Sequence, residues 1–307
     1  MRLHLQKRDY RSKGMAILVP IVSLLVSFLL GAIVLLLSKA NPVITYQAML
    51  KGAFGSPTKL QYTIAKAVPL LLCGLAVGVA FRLKFWNIGA EGQYIAGVIG
   101  ITWVMQFWTF LPVSLLLPVG MVVGILCGAL WAGIPGALKA QWSVDETLTT
   151  LMMNYIIIGY AEYLYINAWK APRGNMGTIL YPEAAWLPRI WGRVHAGVYF
   201  ALAMVVILYF VLYKTRWGFE LNMIGKNRRA AQCQGVCIKR NIILGMLLSG
   251  AIAGLAGVID SAAVTHQLTK GVDAGYGYTG IIIAWVEPAH PGDDDAGVTV
   301  AGDGTAE

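Results

Sequence analysis

The chain has 307 residues, 57% of them hydrophobic and only 13% charged, with a mean hydropathy of +0.64. Soluble domains carry about 25% charged residues, and several apolar stretches here reach the roughly 20 residues needed to cross a bilayer. These stretches lack the polar faces of a soluble all-helical core, so the composition predicts an all-α, polytopic transmembrane helical bundle. The formal net charge is +9. The basic residues fall mainly in loops and are not interleaved with aromatics, which points to membrane topology and away from nucleic acid.

In chain order, residues 1–14 form a basic N-terminal segment. Met15 to Leu37 is uncharged and too long for the core of a signal peptide, so it reads as a retained first span. Lys39 to Gln61 reads as a polar loop, with turn signals at Asn41-Pro42 and Ser56-Pro57. Tyr62 to Phe81 is a second span, with Lys66 close enough to its end to reach the interface. Ile88 to Phe110 and Leu111 to Leu138 are the third and fourth, the latter with Pro112, Pro118 and Pro135 as candidate kinks. Thr147 to Trp169 is the fifth. A loop rich in Pro, Gly and Trp runs from Lys170 to Gly197. Val198 to Tyr213 is a short sixth span, and a strongly basic stretch, residues 214–241, follows it. Ile242 to Val264 is the seventh, and an eighth begins near Tyr276. Alternating from a cytoplasmic N-terminus places fifteen Lys and Arg residues on the inner side and seven on the outer, the sense of the positive-inside rule.

Residues 15–286 therefore read as one membrane domain of about eight spans. After Trp285 the apolar run stops. Residues 287–307 hold six of the chain's 15 acidic residues among Gly and Ala, a composition that predicts a disordered tail. The span beginning at Tyr276, and any beyond it, read as truncated or replaced there.

The most informative run lies between the second and third spans, Phe85-Trp86-Asn87-Ile88-Gly89-Ala90-Glu91-Gly92-Gln93. A carboxylate at membrane depth is costly and is normally kept for a pathway, a partner or a site. Glycines weaken the helix, and irregular backbone in a membrane is tolerated against protein or a water-filled cavity. Two readings fit. The run is a connector with Glu91 at a helix N-terminus, or it is a broken segment lining a polar conduit, and both can hold together. Downstream, Ser143 with Glu146 three residues on matches a capping box. Thr147, Thr150, Asn154 and Tyr155 recur at helical spacing, either lining a cavity or hydrogen-bonding between helices. Residues 221–236 predict a short amphipathic helix flanked by glycines, either a lipid anchor or a docking helix. Gly245, Gly250, Gly254 and Gly257 predict close helix packing, a homodimer seam included.

The four cysteines show no disulfide or zinc pattern, and His266 and Asp273 no metal spacing. There is no G-x-x-x-x-G-K-[ST], nucleophile elbow or H-E-x-x-H. The chain is thus neither its own P-loop ATPase nor a hydrolase of those types.

Phe85 to Gln93 closely resembles the signature of ABC importer permeases for nucleosides and simple sugars, relatives of the branched-chain amino acid permeases. Asp145 to Tyr155 resembles a second segment of that family, with Asp145 in place of Asn. Ile224-Gly225-Lys226-Asn227, Ala230-Ala231 and Gly235-Val236 resemble its cytoplasmic element, with Arg228 where proline is usual. Gly275 to Ile281 resembles its late Gly-Tyr-Gly motif. The resemblance implies a non-enzymatic permease subunit in a bacterial cytoplasmic (inner) membrane, with its N-terminus inside. Its partners would be ABC ATPase subunits, a second permease subunit (identical or related), an extracytoplasmic solute-binding protein and membrane lipid. No cofactor would be bound by this chain, since ATP and Mg belong to the ATPase. By motif position Asn87, Glu91, Gln93, Glu146 and Asn154 are substrate-path candidates. Gly225, Lys226, Asn227, Ala230, Ala231 and Gly235 are ATPase-coupling candidates. From a different class, a stand-alone ion- or proton-coupled carrier using Glu91 is the alternative.

Overall fold

The computed structural model describes residues 13–172 and 177–286. The acidic stretch 287–307 and most of the basic N-terminal segment lie outside the described residues. The chain divides into two compact units, Met1–Thr63 and Ile64–Glu307.

In the first unit, α1 (Lys13–Leu37) is followed by α2 (Pro42–Phe54). The apolar segments Ile21–Leu37 and Pro42–Phe54 meet at 118°. The loop expected over Lys39 to Gln61 is instead largely helical. Asn41 is an N-cap whose side chain accepts the N–H groups of Val43 and Ile44, and Pro42 takes the first helical turn, where its fixed φ and missing N–H cost nothing. Asn-Pro here starts a helix. Tyr46 fixes the bend: its hydroxyl donates to the Phe28 carbonyl (2.7 Å) and its ring meets Phe28 edge-on. α1 and α2 expose Leu, Ile and Phe along their length, as lipid-facing helices do. α3 (Pro57–Arg82) begins in this unit.

The second unit is built on α4 (Ala90–Phe107), α5 (Val113–Trp142) and α10 (Ile238–Asp260). Glycines let their backbones touch. A Cβ on Gly97 would overlap the Gly254 carbonyl, one on Gly250 the Gly128 carbonyl, and one on Gly257 the Tyr94 carbonyl. The small-residue stripe of the seventh span is therefore used within the chain, against α4 and α5. Around this core lie α6 (Glu146–Tyr163) with a π-turn Leu164–Ala168, and α7 (Gly197–Lys214). α8 (Arg216–Lys226), α9 (Arg228–Cys233) and α11 (Tyr276–Val286) complete the α-helices among the described residues, with a 3-10 turn at Glu183–Ala185 and a π-turn at Ser261–Thr265. Between α6 and α7, β1 (Arg189–Trp191) and β2 (Val194–His195) form an antiparallel pair.

Two further expectations are corrected. Ser143 is not a helix N-cap. It ends α5 in the left-handed region (φ 54°), and Asp145 caps α6 by accepting the Leu148 N–H (2.8 Å). The predicted single helix over 221–236 is two helices, because Asn227 is extended and its side chain caps α9 at Ala230 N.

Among the described residues, four helical segments are long and apolar enough to cross a membrane, Pro57–Arg82, Val113–Trp142, Gly197–Lys214 and Ile238–Thr265, and the bent α1–α2 pair makes a fifth. The fold is an all-α membrane bundle. The figure of about eight counts in addition α4 and α6, which carry polar side chains, and α11, described over 11 residues.

Candidate functional site

The informative run begins where α3 stops. Phe85 N–H bonds to the Ala80 carbonyl and Lys84 N–H to that of Phe81, with Lys84 left-handed (φ 51°). This is a Schellman ending, and Phe85, the apolar residue that closes such a motif, is buried. The chain then stays non-helical until α4. The break is filled by paired amides. Asn87 Nδ2 donates to Gln93 Oε1 (3.1 Å) and to Ser249 Oγ (3.0 Å), and Gln93 Nε2 donates back to Asn87 Oδ1 (2.9 Å). Asn87 Oδ1 also accepts the Gly89 N–H. Ser249 passes the chain on to the Ala76 carbonyl of α3 (2.6 Å). A buried polar group left unpaired costs about 1–3 kcal/mol, and here every partner is supplied from within the chain.

Glu91 lies in the first turn of α4 and is fully buried. Its Oε1 accepts the Gly275 N–H (2.9 Å) and its Oε2 the Gly277 N–H (2.6 Å). The carboxylate thus lies at two helix N-termini, those of α4 and α11, where negative charge is favoured. Gly277 has to be glycine, since a Cβ would overlap the Glu91 backbone nitrogen. Asn154 of α6 closes the group. Its Oδ1 accepts the Gly92 N–H (2.9 Å), and its Nδ2 donates to the Ile88 carbonyl (2.9 Å) and the Tyr278 hydroxyl (3.1 Å).

Asn87, Glu91, Gln93 and Asn154 therefore converge on one break. Glu146 does not. Its carboxylate pairs with Lys139 of α5 at the start of α6. Thr150 turns its hydroxyl to the Glu146 carbonyl of its own helix, and Tyr155 and Glu162 are exposed.

The basic stretch reaches the same break from the other side. Gly225 of α8 packs its backbone on the Arg82 carbonyl, and Gly245 of α10 sits against Leu83. Arg82 in turn hydrogen-bonds the Tyr213 hydroxyl and lies 4.5 Å from that ring's centre. Of the coupling candidates, Gly225 and Ala231 are buried, while Lys226, Asn227, Ala230 and Gly235 are exposed. A groove lined by Phe219, Asn222, Met223, Lys226, Asn227 and Ala230 opens between α8 and α9, with Phe219 66% exposed.

A second polar cluster escaped the sequence reading. Tyr94 donates to Asp260 Oδ2 (2.8 Å), and Lys66 donates to the Tyr276 hydroxyl (2.7 Å). Tyr94 and Tyr276 meet edge-on at 5.7 Å. His195 of β2 is buried and lies within electrostatic reach of Asp260. Burial lowers the His195 pKa, with Asp260 and the Ala65 carbonyl opposing the shift. The signal available in sequence was a single acid inside an apolar span, and nothing there links it to Lys66, 194 positions away.

The architecture defines a multi-pass helical membrane protein that keeps a buried, hydrogen-bonded break next to an exposed basic element. Residues 60–286 match the family model of branched-chain amino acid transport system permease components, and the chain belongs to that family. It is 34% identical over 274 residues to a guanosine ABC transporter permease of Bacillus subtilis, covering 87% of this chain and 78% of the relative. It is 34% identical to a glucose ABC transporter permease of Haloferax volcanii, covering 86% and 73%, and 30% identical to a nucleoside ABC transporter permease of Lactococcus lactis, covering 81% and 71%. No solved structure matches. The chain is thus an ABC permease subunit, a channel component and not an enzyme, and ATP hydrolysis belongs to a separate subunit. These relationships favour the ABC reading over the stand-alone carrier.

Proposed function

We propose that this chain forms half of the translocation path of an importer for nucleosides, with simple sugars as the second solute class. The observation that carries this is the 34% identity to a guanosine permease over 87% of the chain. The glucose permease, equally similar, keeps sugars in view.

The proposed complex has two permease chains, an extracytoplasmic binding protein that delivers solute, and ATPase subunits that hold ATP and Mg. It sits in the cytoplasmic membrane, with about eight spans per chain and residues 1–14 inside. The ATPase docks on the α8–α9 groove within residues 214–241. The exposed Phe219 supports this, because a large apolar side chain at a groove suits a protein contact.

Asn87, Glu91, Gln93 and Asn154 are proposed to shape the path by holding the broken segment, and Glu146 to fix the entry of α6 beside it. The contact of Gly225 with Arg82 supports a direct mechanical route. Movement of α8 on ATP binding shifts the end of α3, and with it the amide pair at Asn87. No covalent step occurs, and alternating access follows from which packing the ATPase favours.

The test is uptake of labelled guanosine by proteoliposomes holding the assembled complex. Uptake should disappear when the ATPase subunit is omitted. Undiminished uptake without it would remove the proposal.

A further inference from the structure

The second polar cluster is built and incompletely used. Asp260, at the end of α10, is only 5% exposed. Its Oδ2 is taken by Tyr94, but its Oδ1 is buried with no partner. His195, 1% exposed, accepts the Gly197 N–H at Nδ1 (3.2 Å). A neutral imidazole that accepts at one nitrogen carries its proton on the other, so Nε2 is a donor. That nitrogen is also buried, and its approach to the Ala65 carbonyl falls outside hydrogen-bond geometry. The nearby Ala65 carbonyl faces the ring, in a turn of α3 where Pro69 supplies no N–H four residues on. Gly197 lies tight against both His195 and Ile259, which brings the ring beside the end of α10. Lys66, within electrostatic reach of Asp260, makes no direct ion pair with it. Of its three N–H donors, one goes to Tyr276.

An unused acceptor, an unused donor and an ammonium thus share one cluster. The Tyr276 hydroxyl already accepts from Lys66, so its own proton remains to be donated. Asp260 would repel an anion. The Lys66 ammonium and the protonated Nε2 would repel a metal cation. A group that both donates and accepts fits, and a pair of neighbouring hydroxyls can use the acceptor and the donors at once.

We propose that Asp260, His195, Lys66 and Tyr276 form a subsite for vicinal hydroxyls of the transported solute. This rests on the nucleoside or sugar reading above and names the part of the solute that this chain selects, the sugar ring. The shared chemistry is the diol, carried by a ribosyl group or by a hexose.

The test uses the full reconstituted complex with the wild-type chain, Asp260→Asn and Tyr276→Phe. Uptake of labelled guanosine is compared with 2′,3′-dideoxyguanosine, and of glucose with 2,3-dideoxyglucose, neither comparator keeping a neighbouring pair of hydroxyls. The guanosine and glucose arms distinguish the two sources of the diol. The wild type should favour the hydroxylated member of its solute pair by about tenfold or more, the size of one charge-assisted hydrogen bond. Both variants should shrink that ratio towards one, mainly by raising KM for the hydroxylated solute. If the variants lower both members of a pair by the same factor, the cluster is structural and the subsite is overturned. Failure of both variants to assemble would overturn it too. Absence of any uptake by the wild-type complex would instead fell the importer reading itself, before the subsite is reached.

Discussion

Two buried polar clusters lie close in this molecule and differ in one respect. The side chains of Asn87, Glu91, Gln93 and Asn154 themselves find partners within the chain, although the Trp131 indole N–H beside Gly92 is left unpaired. Around Asp260 and His195 an acceptor and a donor are left over. A completed network specifies one arrangement of the backbone that it ties, and its loss is felt in folding. An incomplete one keeps capacity for a visitor, and its loss should be felt in recognition. The first cluster holds α4, α6 and α11 on the break, and the second is free to discriminate.

Substitutions can break this contrast. The largest effect is expected from Gly277→Val, which drives a side chain into the Glu91 backbone. Overpacking costs about 1–3 kcal/mol, and here α11 must also leave the Glu91 carboxylate, so the assembled complex should not be recovered on size exclusion. Glu91→Gln comes next. It replaces one of two oxygens facing backbone N–H groups with a donor, and should destabilise the chain by about 1–3 kcal/mol, read as a lowered thermal midpoint in detergent. Asn154→Ala strands the Gly92 N–H and the Ile88 carbonyl and should cost a similar or slightly smaller amount by the same measurement. Asp260→Asn should change stability by less than about 1 kcal/mol, because one oxygen remains for Tyr94 and the altered atom has no partner to lose. A large drop there would erase the distinction between the clusters. The smallest effect belongs to Glu146→Gln. Its pair with Lys139 is partly buried, with side chains 13% and 17% exposed, but Gln keeps an oxygen that can accept from Lys139, so the loss should be no more than about 1 kcal/mol.

Much of this was legible in the sequence. The apolar runs placed seven helices closely, since long uninterrupted apolar stretches admit little else. The Phe85 to Gln93 break was marked by its glycines and its charge, and Asn154 by the segment it belongs to. The misses have local causes. Asn41-Pro42 can end one element or start another, and only the N–H groups of Val43 and Ile44 decide it. Ser143 and Asp145 both suit a cap, and the left-handed turn at Ser143 selects the second. The glycine stripe of α10 announces close packing but not the partner, which proved to be α4 and α5 of the same chain. Glu146 had a motif position but not the nearby Lys139 in view. The Asp260 cluster was invisible because its members lie on α3, α4, α10, α11 and a β-strand. Only the tertiary fold brings them together.

What drives solute through this chain separates an ATP-driven permease from an ion-coupled carrier. Guanosine uptake into proteoliposomes containing the whole complex should be followed while ATP supply and the ion gradients are varied independently. Uptake that needs ATP hydrolysis and survives an ionophore is the predicted result. Uptake that collapses with the ionophore and persists without ATP would contradict it.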